Sequence, residues 1–188
     1  MKKLILLSIL LIVGCDKIAK KEVNNSYLEF WEIKYFVNQN YEPTDVGYIT
    51  NANPIFGEFS TSKIHNNALK VKIMIKERDV GIKLYENEQK LLVKGNKQDP
   101  IEYDIKVKRN DENIDFIFRG INETDLVVVG NIISSSHQDT LIHYLKMGGK
   151  FDFYLETKNQ SNNKIYEFEI NDESPYGFIN TFNKLKSN

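Results

Sequence analysis

Leu69-Lys70-Val71-Lys72-Ile73-Met74-Ile75-Lys76 sets branched apolar side chains at every second position, with lysine at three of the positions between or after them. A period of two sends successive side chains to opposite faces of a strand, so this stretch has one face for a core and one for water. Working outward, Ile101, Tyr103, Ile105 and Val107 alternate with Glu102, Asp104, Lys106 and Lys108. Phe151, Phe153 and Leu155, then Tyr166, Phe168 and Ile170, repeat the pattern. Ile82 with Leu84, Leu91 to Val93, Ile114 to Phe118 and Leu126 to Val129 are shorter strand candidates, and Phe30 and Trp31 bracket a first one. Turn-forming residues fall between them at Glu86-Asn87-Glu88, Gly95-Asn96, Asn110-Asp111, Asn122-Glu123 and Asn159 to Asn163.

Two segments carry a helical period instead. Ser136 with Asp139 three residues on resembles a capping box, opening a helix that carries Leu141, Tyr144 and Leu145 and stops at Gly148-Gly149. A shorter helix begins near Pro175 and sets Phe178, Ile179, Phe182 and Leu185 on one side. Many short strands with two late helices predict a mostly β fold: an antiparallel β-sandwich or partly open barrel, with one helix near 136–147 and a short C-terminal helix.

The chain has 188 residues, 41% hydrophobic and 27% charged, the composition of an ordinary globular protein of one domain. Its net charge of −1 falls by two once Lys2 and Lys3 are removed with the leader described below. The arginines are Arg78, Arg109 and Arg119, with no concentrated patch of the kind that phosphate backbones require, so nucleic acid is not an expected partner. The one cysteine is Cys15, which leaves the folded part without a disulfide, a thiolate metal cage or a cysteine nucleophile and places its stability on a packed core.

Lys2 and Lys3 precede an apolar run from Leu4 to Val13, broken only by Ser8, and then Gly14 and Cys15. Ten residues of helix rise about 15 Å, half of what a bilayer core demands, so the run reads as a cleaved export signal over residues 1–14 and not as a spanning helix. Ile12-Val13-Gly14-Cys15 resembles the lipobox of bacterial lipoproteins, which implies that Cys15 is lipidated and becomes the mature N-terminus. Asp16 resembles the signal that retains enterobacterial lipoproteins in the inner membrane facing the periplasm. In another envelope the anchor implies the outer membrane or the cell surface. Residues 15–26 then form a lipidated, mainly polar tether, and residues 27–188 the domain.

Within that domain Trp31, Leu69 to Ile73, Arg109-Asn110-Asp111, Leu141 to Lys150 with Phe151 to Leu155, and Tyr166 to Leu185 resemble a loose group of exported β-sandwich proteins. The group includes the invasion-associated locus B family and accessory proteins of type VI secretion. The resemblance implies a fold and a compartment and transfers no catalytic residue. The invasion-associated proteins usually carry cysteines within the domain, and this chain has none there.

Motifs for chemistry are sparse. His137, Asp139 and His143 lie within seven residues, and Asp139 and His143 at i and i+4 share a helix face, as zinc ligands often do. Asp139 in a first turn also simply favours the helix dipole, and no glutamate base accompanies the pair, so no metal site is expected. No Gly-x-Ser-x-Gly elbow or glycine-rich phosphate loop occurs, Ser134 to Ser136 serve better as loop and cap, and the paired acids Asp111-Glu112 and Asp172-Glu173 fall in turns. Lys70, Lys72, Lys76 and Lys83 form either a basic strip or a soluble strand face.

Aromatic residues, with 11 Phe and 10 Tyr, are the richest material and cluster near the tether, where Trp31, Tyr35 and Tyr41 are the candidate binding residues. Packing of the core by Phe30 and Trp31 is the competing reading. The expectation is a membrane-anchored envelope lipoprotein without catalytic activity or cofactor, which binds an envelope protein as an exclusion or immunity factor or as an accessory to a secretion machine. The alternatives are an envelope-polymer enzyme without a recognisable motif and a carrier of lipid or another small ligand.

Overall fold

A computed structural model describes residues 29–87, 90–91, 99–110, 115–122, 126–130, 136–158, 161–174 and 177–187. The leader, Cys15, Asp16 and the tether lie outside the described residues, as do Leu92, Val93, Gly95, Asn96, Asp111, Glu112, Ile114, Glu123, Ser134, Asn159 and Pro175.

Among the described residues, eleven strands form in the order β1 (Trp31–Val37), β2 (Pro43–Asn51), β3 (Ile55–Thr61), β4 (Asn67–Lys76), β5 (Asp79–Glu86), β6 (Lys90–Leu91), β7 (Ile101–Arg109), β8 (Asp115–Asn122), β9 (Val127–Val129), β10 (Gly149–Lys158) and β11 (Lys164–Asp172). Helix α1 (Ser136–Met147) precedes β10, and α2 (Gly177–Ser187) ends the described chain. The mostly β, antiparallel architecture expected from the alternation forms, and β4 closes it by pairing with both β3 and β5. The ring runs β4-β3-β11-β10-β7-β8-β9-β5 and back to β4. Eight strands enclose a space that side chains fill. Leu69, Val71, Ile73 and Ile75 face inward opposite Glu86, Leu84, Ile82 and Val80, and Ile105 lies between Phe118 and Leu155.

Closure depends on one close approach. Gly57 of β3 faces Phe168 of β11, and a Cβ there would collide with the Glu167 carbonyl oxygen and lie 2.7 Å from the Phe168 Cβ. Only a residue without a side chain allows the two backbones to meet.

The hairpin β1–β2 is attached to the same edge of β4 as β3, through Ile49 and Thr50 opposite Ile75 and Met74. Where β2 leaves β4, the buried Asn51 side chain continues the pairing: its Oδ1 accepts from the Ile73 backbone N–H at 2.8 Å and its amide donates to the Asn53 carbonyl at 2.6 Å. The rest of the hairpin runs past the end of β4. Its tip is built on Asn38, whose Oδ1 accepts from the backbone of Asn40 at 2.8 Å and Glu42 at 3.0 Å, an Asx turn that sets Tyr41 at φ 63°.

Both helices cover that same end of the barrel. α1 opens at Ser136 and stops where Gly148 turns left-handed at φ 65° and donates to the Leu145 carbonyl, as its two glycines predict. Arg109 Nε donates to the Gly148 carbonyl at 3.0 Å, and Asn110 Oδ1 accepts from Lys150 N at 2.8 Å, so the Arg-Asn pair fastens the end of β7 to the α1–β10 junction. α2 packs Phe178 and Phe182 inward and lays Leu185 on β2, where a Cβ on Gly47 would come within 2.5 Å of Leu185 Cδ1.

Candidate functional site

The hairpin, the β4–β5 turn and the two helices surround a cleft of about 700 Å³. Its apolar floor is Leu185, with Ile49, Ile75 and Ile142 buried beneath it. Tyr35 lines it from β1, Asp45 from β2, Glu77 and Arg78 from the turn, Asp139, His143 and Lys146 from α1, and Phe182 and Lys186 from α2. Arg78 and Asp139 neutralise each other at 3.8 Å. Lys146 and Lys186 are held otherwise: their ammonium nitrogens stand 4.0 and 4.9 Å from the centroid of the Phe182 ring. An aromatic face attracts a cation through its quadrupole without cancelling its charge.

Trp31, Tyr35 and Tyr41 go to three different places. Trp31 is 1% exposed and its side chain is enclosed by the core. Its indole Nε1 donates to Asp172 Oδ2 at 2.8 Å, and its ring meets Phe30 and Phe178 edge to face. The core reading of the Phe30-Trp31 pair therefore describes its position, and the indole presents no surface to a partner. Tyr35 opens onto the cleft, and Tyr41 stands at the hairpin tip, 87% exposed. Phe36, Val37 and Val46 are exposed on the same hairpin, so half of the ten large apolar side chains exposed among the described residues belong to it.

Asp172 also accepts from the Phe178 backbone N–H at 3.3 Å, tying the first turn of α2 to the end of β11. Burial pushes its carboxyl above the ordinary value of 3.8, against the opposing pull of the Trp31 indole and of the Phe178 and Ser174 backbone. At the far end of the barrel, Tyr166 and Lys164 donate to the same Glu86 oxygen at 2.8 and 2.7 Å. Burial raises the Tyr103 hydroxyl there to about 12, with Asn122 beside it opposing the shift.

Among the described residues, no group of three His, Cys, Asp or Glu side chains could hold a metal ion. His143 and Asp139 both face the cleft, with Asp139 paired to Arg78, while the His137 ring lies 6.1 Å from the Phe118 ring and nearly perpendicular to it. Of the lysine strip, Lys72 lies opposite Lys83 on the barrel wall. Its ammonium is depressed first by burial and then by Lys34, Lys83 and Lys70, with Glu32 opposing. Lys76 lines the cleft at the end of β4, its ammonium 5.8 Å over the Phe36 ring. Sequence reasoning missed Lys146, Phe182 and Lys186, whose two lysines occupy the last turns of their helices, the usual place for solvent-facing cations.

Comparison with family models, curated proteins and solved structures finds no match for the chain.

Proposed function

We propose that this protein is a lipid-anchored component of the bacterial cell envelope that binds another envelope protein and performs no catalysis. The observation that carries the reading is the concentration of exposed apolar side chains on the β1–β2 hairpin, where Tyr35, Phe36, Val37, Tyr41 and Val46 extend beyond the barrel beside the cleft. Clustered exposed apolar side chains next to polar residues mark interaction sites, and aromatic side chains are common anchors in them. The export signal and the lipobox-like Ile12 to Cys15 support attachment to a membrane, with Asp16 favouring the inner membrane in an enterobacterial envelope. Exclusion or immunity, or service to a secretion machine, are roles that suit an anchored binding module.

The test is photocrosslinking in living cells from the full, anchored chain, with the crosslinker at Tyr35, Val37 or Tyr41 and a control at Ile117 on β8, which is 63% exposed. A distinct envelope protein captured from the hairpin and not from Ile117 is the expected result. Equal capture from all positions, or none from the hairpin, refutes the reading. Should the hairpin capture nothing while cell-wall polymer is degraded or extracted lipid co-purifies, the enzyme or the carrier replaces it.

A further inference from the structure

We infer that the cleft receives an extended peptide segment of the partner that is bipolar. Its carboxylate meets Lys146 and Lys186, its cationic side chain meets Asp45 and Glu77, and an apolar residue between them rests on Tyr35 and Leu185. The inference rests on the protein-binding reading above and specifies its ligand chemistry.

Three observations carry it. The volume of about 700 Å³ lies within the range of sites that enclose small ligands, enough for a few side chains of a peptide. Lys76 beside Glu77 places one cation on the hairpin side, and the other charges without an ion-pair partner divide by element. Lys146 and Lys186 come from the helices, Asp45 and Glu77 from the hairpin and the β4–β5 turn. None of these four side chains has an ion-pair partner within 4.0 Å among the described residues, whereas Arg78 and Asp139 are already paired. Finally, the Phe182 ring lies against both ammonium groups, at 4.0 and 4.9 Å from its centroid, so an arriving carboxylate meets two cations gathered at one ring.

A membrane surface fits less well. The two lysines lie in a concave site, and carboxylates on its opposite wall would repel lipid phosphates.

The experiment follows backbone amide shifts in the full-length chain in neutral detergent micelles. The probes are the acetylated, amidated pentapeptide Lys-Leu-Phe-Leu-Glu, its derivatives with glutamine in place of either charged residue, inorganic phosphate, and phosphatidylglycerol vesicles. The bipolar peptide should shift Ile142, Lys146, Phe182 and Leu185, and each neutralised derivative should bind about tenfold more weakly, equivalent to about 1.4 kcal/mol. Lys146→Glu combined with Lys186→Glu should abolish this binding and transfer it to a peptide carrying lysine at both ends, a rescue that rules out simple misfolding. Unshifted cleft resonances, phosphate binding as strong as the peptide's, or vesicle binding that depends on Lys146 and Lys186 overturns the inference. If hairpin crosslinks form while the cleft ignores the peptides, this inference fails and the protein-binding reading stands. If the peptide binds and the hairpin captures nothing, the cleft carries the protein binding and the role given to the hairpin fails.

Discussion

Asp172→Ala should be among the most damaging single changes at the helix-covered end. The substitution deletes the acceptor of two hydrogen bonds, from the Trp31 indole at 2.8 Å and the Phe178 backbone at 3.3 Å, and leaves the buried indole N–H without a partner. A hydrogen bond to a charged acceptor contributes about 1.5–3 kcal/mol, with the longer contact at the low end or below. Against this stands relief of the buried carboxylate, whose raised pKa records a net burial penalty. The balance is a loss of about 2–3 kcal/mol at neutral pH, or roughly 4–12 °C in Tm for a domain of this size. Asp172→Asn provides the contrast. Both donors converge on Oδ2, so an asparagine oxygen placed there keeps both bonds, and stability should stay within about 1 kcal/mol of the parent.

The assay is urea unfolding followed by the fluorescence of Trp31, the single tryptophan and a buried one. The pH dependence gives an independent check. Because the folded carboxyl binds its proton more tightly than the unfolded one, its contribution to stability is complete below about pH 3.8 and is lost as pH rises through the raised folded value. The parent should therefore lose stability relative to the Asp172→Asn variant across that window and run parallel to it above. An Asp172→Ala variant within about 0.5 kcal/mol of the parent, or an Asp172→Asn variant as damaged as the alanine one, refutes the role given to the carboxylate.

Tyr103→Phe should change stability by less than about 1 kcal/mol, because among the described residues the buried Tyr103 hydroxyl has only Asn122 beside it and no well-formed hydrogen bond; a loss well above that in chemical unfolding would show that the Tyr103–Asn122 contact is a full hydrogen bond. Gly57→Ala should cost at least about 2 kcal/mol by forcing β3 away from β11, seen as faster hydrogen exchange at Phe59 and Tyr166; unchanged exchange would show that closure does not depend on that approach. Cys15→Ala should abolish incorporation of labelled palmitate and release the chain from membranes; retained label refutes the anchor.

Where the sequence made the fold legible, the reason was uninterrupted alternation: β4, β7, β10 and β11 carry it, and each buries its predicted apolar residues. β2 and β3 carry no such signal because glycine stands within each. Gly47 accommodates Leu185 of α2 and Gly57 the β11 backbone, so tertiary contact has replaced the apolar residue that would reveal the strand. Ring order was illegible for a different reason. Phe59 pairs with Tyr166 and the Trp31 indole bonds a carboxylate 141 residues away, separations that local patterning cannot encode. For the candidate site, aromatic density pointed to Tyr35 and Tyr41. The cations of the cleft stayed hidden because α1 and α2 contribute them separately, and only packing brings them to one ring.

The described chain begins and ends on the same side of the barrel, with Glu29 within 3.8 Å of Lys184. A mechanical load applied between residue 29 and an occupant of the cleft would pass through β1, the hairpin and both helices, and would reach the closed ring only at its helix-covered end, where the Trp31 indole is tied to Asp172 at the end of β11. The barrel would then serve as a base loaded at one end only, on which a small gripping end is mounted, and force spectroscopy would register rupture of that end before the barrel strands part.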